Sequence, residues 1–119
     1  MGRPLRDTDP EKVHLITCRT ARAELLMVPR PEITNIIGGV IAKYSSLLEI
    51  DLYAVIVLSN HYHLLAKAPK GNLSFFAENI NREIAKRVNW HLGREGFFWG
   101  RRYDDQIVVE EYESNLNKE

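Results

Sequence analysis

The 119-residue chain sets 16 Lys plus Arg against 16 Asp plus Glu, is 45% hydrophobic and holds one cysteine. Such a chain suffices for a single soluble domain with its own core. It excludes a disulfide framework or cysteine-rich zinc site, and zero net charge leaves any pull toward nucleic acid or membrane to local patches. No apolar run approaches the roughly 18 residues that span a bilayer. The polar start has no secretory apolar core, so a soluble cytoplasmic protein is expected.

In chain order, residues 1–11 read as an extended arm, because Gly2, Pro4 and Pro10 with Arg3 and Arg6 fit no periodic element. Val13, Leu15, Ile16, Thr17 and Cys18 predict a strand over 12–19, with Cys18 as a small core residue. Residues 20–29 connect. Pro31 suits a first helical position and Glu32 the positive end of the helix dipole. Ile33, Ile36, Ile37, Val40, Ile41, Tyr44, Leu47 and Leu48 then recur at three and four, giving one apolar helical face. Gly38-Gly39 lies off that stripe and costs roughly 1 kcal/mol per glycine against alanine. A second backbone in close approach would rationalise the pair.

Residues 51–58 are nearly all apolar and predict a central strand buried on both faces. Ser59-Asn60 is turn chemistry, so the next strand, over 61–68, forms a hairpin with it. Asn72 or Ser74 can cap a second helix. Its apolar face is Leu73, Phe76, Ile80, Ile84, Val88 and Leu92, its other face carries Arg82, Lys86 and Arg87, and Gly93 stops it. A short strand over 107–109 and a polar helical tail over 110–119 complete a single domain over 1–119. The order strand, helix, strand, strand, helix, strand predicts an α+β, ferredoxin-like split βαβ sandwich: a four-stranded antiparallel sheet with two helices on one face.

Two local features point to chemistry. His61 and His63 alternate in a strand, so both imidazoles leave the same face and can share one metal ion. Between residues 82 and 102, Arg82, Lys86, Arg87, Arg94, Arg101 and Arg102 outnumber Glu83 and Glu95. These cations interleave with Phe97, Phe98, Trp99 and Tyr103, a mixture suited to phosphates and stacked bases. A solvated helix face followed by an aromatic core plug is the plainer alternative.

Asn60-His61-Tyr62-His63-Leu64-Leu65 resembles the His-hydrophobic-His signature of the single-tyrosine HUH transposases of insertion sequences, the IS200-like superfamily. It looks closest to their REP-associated branch. The likeness continues through residues 69–73, 84–89 and the Gly-x-x-Trp-x-x-Arg-Tyr-like stretch over 96–103, and covers nearly the whole chain. It implies a ferredoxin-like dimer that acts on single-stranded or hairpin DNA. It further implies a divalent metal, Mg²⁺ or Mn²⁺, held by His61, His63 and one more polar ligand, with imidazole better suited to Mn²⁺. A tyrosine hydroxyl would attack and leave a 5′-phosphotyrosine. Arg82, Lys86, Arg87, Arg101 and Arg102 are the candidate phosphate contacts.

One departure stands out. The resembled family carries Gln, Asn or His four residues after its tyrosine, one helical turn on. Tyr112, the candidate nucleophile, falls too soon after the fourth strand and is followed there by Leu116, and no other tyrosine fits either. The expectation is a tail that stops short of the tyrosine helix, with Tyr112 anchoring that tail. Two alternatives follow: a non-catalytic nucleic-acid-binding module of the same fold, or a histidine-triad-like nucleotide hydrolase. The latter needs a third alternating histidine, and position 65 is leucine.

Overall fold

Alternation decides the sheet. In the computed structural model, which describes residues 9–108, β1 (His14–Arg19) buries Ile16 and Cys18 on one face and turns Leu15, Thr17 and Arg19 to the other. β2 (Asp51–Leu58) and β3 (His61–Lys67) are joined by Ser59-Asn60, and β4 is Asp104–Ile107. The sheet order is β2-β3-β1-β4, with every pair antiparallel. α1 (Pro31–Leu47) follows β1 and α2 (Leu73–Leu92) follows β3, so the expected split βαβ sandwich is what the chain forms.

Both helices cover one face. Ile33, Ile37, Val40 and Ile41 of α1 join Phe76, Ile80, Ile84 and Val88 of α2 over Ile16, Tyr62, Leu64 and Ala66 in one continuous core. Burying each such large apolar side chain is worth about 1.5–3 kcal/mol. Pro31 opens α1, and Gly93 closes α2 in the left-handed region at φ 64°. Cys18 is buried, as expected of a small core residue.

Several expectations are corrected. β2 is an edge strand, and Tyr53, Val55, Ile56 and Leu58 are exposed along it. Its composition is that of a central strand, but among the described residues only β3 pairs with it. Among the described residues Gly38 and Gly39 meet no second backbone, since none of their atoms lies within 4 Å of a Cβ built at either. Gly38 instead helps line an apolar groove of about 320 Å³ between α1 and Val55 and Val57 of β2. Leu47 and Leu92, assigned to apolar faces, are exposed at the helix ends. Asn72 is the N-cap residue of α2 by position, but its side chain makes no cap bond there and donates to the Leu48 carbonyl at 3.0 Å. The fourth strand starts earlier than 107, because Asp104 and Asp105 pair with Thr17 and Ile16. The arm over residues 1–8 and the tail from 109, with Tyr112 and Leu116, lie outside the described residues. Among the described residues no helix is long and apolar enough to cross a membrane.

Candidate metal centre

The two faces of β3 separate packing from chemistry. Tyr62, Leu64 and Ala66 point into the core and are fully buried, while His61, His63 and Leu65 stand half-buried on the face opposite α1 and α2, left open among the described residues. The two imidazoles lie side by side as the alternation predicts, with ring centroids 5.0 Å apart and planes at 87°.

Each ring is held by one nitrogen. His61 Nδ1 lies 2.8 Å from Asn60 Oδ1, an acceptor, so the ring donates there. His63 Nδ1 lies 3.0 Å from the Thr17 hydroxyl, its cross-strand neighbour on β1. A proton on each Nδ1 satisfies both contacts and leaves both Nε2 lone pairs for an outside partner. Fixing the tautomer through the second nitrogen is how metal-ligating histidines are held. Burial, then the positive field of Arg19, then His63 push the His61 pKa below its usual 6.5. These effects favour the neutral imidazole, the form a metal needs. The donor set fits two ligands of one ion. Among the described residues, no third His, Cys, Asp or Glu completes a cluster with them.

Asn60 is positioned from several sides. Its carbonyl accepts from the Thr20 backbone at 2.9 Å and from the Thr20 hydroxyl at 3.2 Å, and Met27 N–H donates to Ser59 O at 2.8 Å. The tie comes from a 3₁₀ turn over Ala21–Ala23, where Arg22 and Ala23 sit at φ 53° and 55°. Non-glycine residues adopt that region at a cost. The turn between β2 and β3 is thus braced by the β1–α1 connection.

The cations divide into two groups. Arg82, Lys86 and Arg87 lie on the exposed side of α2, in the helical layer across the sheet from the imidazoles. Arg87 also reaches Glu83 at 3.5 Å, and Glu83 accepts from the Tyr44 hydroxyl at 2.8 Å and Lys43 at 3.2 Å. Chiefly through the Tyr44 bond, the Glu83 carboxyl is held below its usual pKa. Arg101 and Arg102 instead follow Gly100, whose N–H donates to Arg19 O at 2.9 Å while Arg19 pairs with His61. A Cβ on Gly100 would lie 3.1 Å from the Thr20 carbonyl oxygen, so glycine permits this approach.

Three of the described tyrosines are committed elsewhere. Tyr62 is buried with its hydroxyl on Asn81, and burial raises its pKa well above 10. Tyr103 binds Ser74 and Tyr44 binds Glu83, while Tyr53 is exposed on the β2 edge. The sequence reading missed Thr17, Arg19 and Asn60. Thr17 and Arg19 share the outward phase of β1, so register could have revealed them once β1 was placed beside β3.

The sheet is thus ferredoxin-like, with a paired-imidazole strand at its centre. A family model described as "Transposase IS200 like" matches residues 9–118. The chain belongs to the IS200-like transposase family. Among solved structures it is similar to a transposase from Deinococcus radiodurans, with a TM-score of 0.68, 18% identity and coverage of 99% of this chain and 92% of that one. It is also similar to a REP-associated tyrosine transposase bound to a REP hairpin, with a TM-score of 0.67, 19% identity and coverage of 98% and 69%. At these identities the likeness speaks for the fold. A search of curated proteins returns no match.

Proposed function

We propose that this chain is a DNA transposase domain that binds single-stranded or hairpin DNA across its open sheet face. His61 and His63 are proposed to hold a divalent metal there, Mn²⁺ or Mg²⁺. The observation that carries the reading is the imidazole pair with each Nδ1 occupied and no partner on either Nε2 among the described residues. A structural neighbour that is a tyrosine transposase bound to a REP hairpin supports the choice of DNA. When bound, the metal supplies Lewis-acid polarisation of a scissile phosphate. Arg19 adds positive charge beside His61, and the Asn60 and Thr17 contacts fix the rings.

Strand cleavage would proceed by a tyrosine oxygen attacking phosphorus. The new P–O bond to tyrosine replaces the P–O3′ bond, the hydroxyl proton is lost, and a 5′-phosphotyrosine and a free 3′-OH remain. Tyr112 is the candidate nucleophile in this chain. Leu116 one turn later supplies no ligand, and this favours a second reading, a DNA-binding module of the same fold without the chemistry.

The same proposal takes two copies. The exposed apolar β2 edge would receive a second β2 in antiparallel register, which sets the two Asp51 carboxylates at opposite ends of the ladder. Tyr53→Lys should then shift the mass in light scattering from dimer to monomer.

The test is incubation with labelled single-stranded hairpin DNA and Mn²⁺, followed by a denaturing gel. A covalent band that Tyr112→Phe abolishes supports cleavage. Hairpin binding without a band favours the module. No hairpin binding at low salt sinks the proposal.

A further inference from the structure

Beside α2, at the end of the sheet where residues 96–103 return to β1, lies a cleft of about 510 Å³. It is lined by Glu78, Asn81, Trp99, Arg101, Arg102 and Tyr103. We propose that it holds one unpaired nucleotide of the bound strand and so fixes which phosphodiester lies over His61 and His63. The inference rests on the DNA-binding reading above and adds a register-setting pocket to it.

The wall is rigid because its inner members are already bonded. Asn81 accepts from Tyr62 through its side chain, donates to Cys18 Sγ at 3.1 Å and takes the Trp99 Nε1 proton on its carbonyl at 2.8 Å. The Trp99 ring is further fixed in T-shaped contacts with Tyr62 and Phe98, at centroid distances of 5.5 and 4.7 Å. Tyr103 is anchored on Ser74 at 3.1 Å. Arg101, Arg102 and Glu78 have no ion-pair partner among the described residues, although they border the same cleft.

The groups left over define the ligand. Two guanidiniums suit a phosphate, which they can grip through paired N–H donors. An immobilised indole offers a stacking face to any base. A carboxylate repels the phosphate end but accepts from a base amino group, which cytosine, adenine and guanine carry and thymine lacks. The volume falls in the range of small-ligand clefts, about 300–1,000 Å³. Position supplies the role. Gly100, Arg19 and His61 succeed one another across neighbouring strands, so the backbone beside the cleft lies two strand spacings, about 10 Å, from the backbone that carries the imidazoles. Because Asn81 and Trp99 meet Tyr62 on the covered face, a strand held in the cleft passes round the end of the sheet to reach His61 and His63.

The experiment uses the full chain with Trp90→Phe, which leaves Trp99 as the single tryptophan. A hairpin with a single-stranded extension should quench Trp99. One abasic position scanned along that extension should weaken binding about tenfold, the scale of one lost stacking contact. Arg101→Ala with Arg102→Ala should lose a similar factor, and Glu78→Gln should erase the preference for cytosine over thymine at that position. These residues lie at the surface of the fold, so the variants test the pocket with the core intact. DNA binding with Trp99 emission unchanged, or with no abasic position costing more than twofold, overturns the pocket and leaves the DNA-binding reading standing. Free dCMP binding as tightly as the strand assigns the cleft to a free nucleotide and also overturns it. Absence of any DNA binding removes both.

Discussion

The two faces of the sheet are built from the same strands and obey different rules. On the covered face, Ile16, Tyr62, Leu64 and Ala66 are fully buried under two helices. On the other face stand Thr17, Arg19, His61, His63 and Leu65, away from α1 and α2, and what matters is which residue stands opposite which. Hydrophobicity alone specifies the first face. The second depends on register, since a slip of one residue would carry both imidazoles into the core.

The sharpest break of that contrast compares neighbours on β3. Leu64→Ala should cost about 3 kcal/mol through the cavity it leaves, and Leu65→Ala on the open face under about 1 kcal/mol. Urea unfolding followed by circular dichroism measures both, and equal losses would erase the distinction between the faces.

Glycines give the next contrast. Gly100→Ala would push a Cβ to 3.1 Å from a backbone oxygen that cannot swing away. It should destabilise by about 2 kcal/mol. Gly38→Ala, in open space within α1, should stabilise by about 0.5–1 kcal/mol. The same unfolding curves read the opposite signs.

A pH series probes the open face. With its folded pKa below 6.5, His61 binds fewer protons folded than unfolded near that pH. Its contribution to stability is therefore complete above pH 6.5 and is lost as pH falls through the folded value. Mn²⁺ affinity, read by calorimetry, should decline over the same acid window, and His61→Ala should remove that dependence together with most of the binding. An acid limb that survives His61→Ala unchanged would assign the titration to another group.

The smallest effect lies in the helical layer. Glu83→Gln weakens the contacts to Tyr44, Lys43 and Arg87 and should cost about 0.5–1 kcal/mol. Because the Glu83 pKa is depressed below 4.5, that cost should be present at neutral pH and vanish as pH falls through the folded value. Thermal melts at pH 7 and in acid separate the two conditions.

These rules also explain what the sequence made legible. The alternation around His61 and His63 and the three/four spacing of Ile33 to Ile41 and Phe76 to Val88 predicted strand, helices and sandwich, because local periodicity reports which side is covered. β2 misled because Leu52, Val55, Val57 and their neighbours record how apolar a strand is, not how many strands flank it. Gly38-Gly39 misled because Gly38 borders a groove and neither glycine meets another described backbone. Thr17 was hidden as a partner of His63, since a hydrogen bond across strands exists only once the register is set, and Asn60, the sequence neighbour of His61, read only as turn chemistry.

Strand order also fixes when each part of the molecule can form. The β2–β3 hairpin and the β1–α1 connection that braces its turn are complete once β3 is present, since Thr20, Met27 and Asn60 all precede it. β4 comes last and must find β1 across nearly the whole described chain, with His14 opposite Ile107. Long-range closures of this kind are the slow steps of folding. A nascent chain thus acquires its paired imidazoles early, and the cleft beside Trp99 only when the final strand docks.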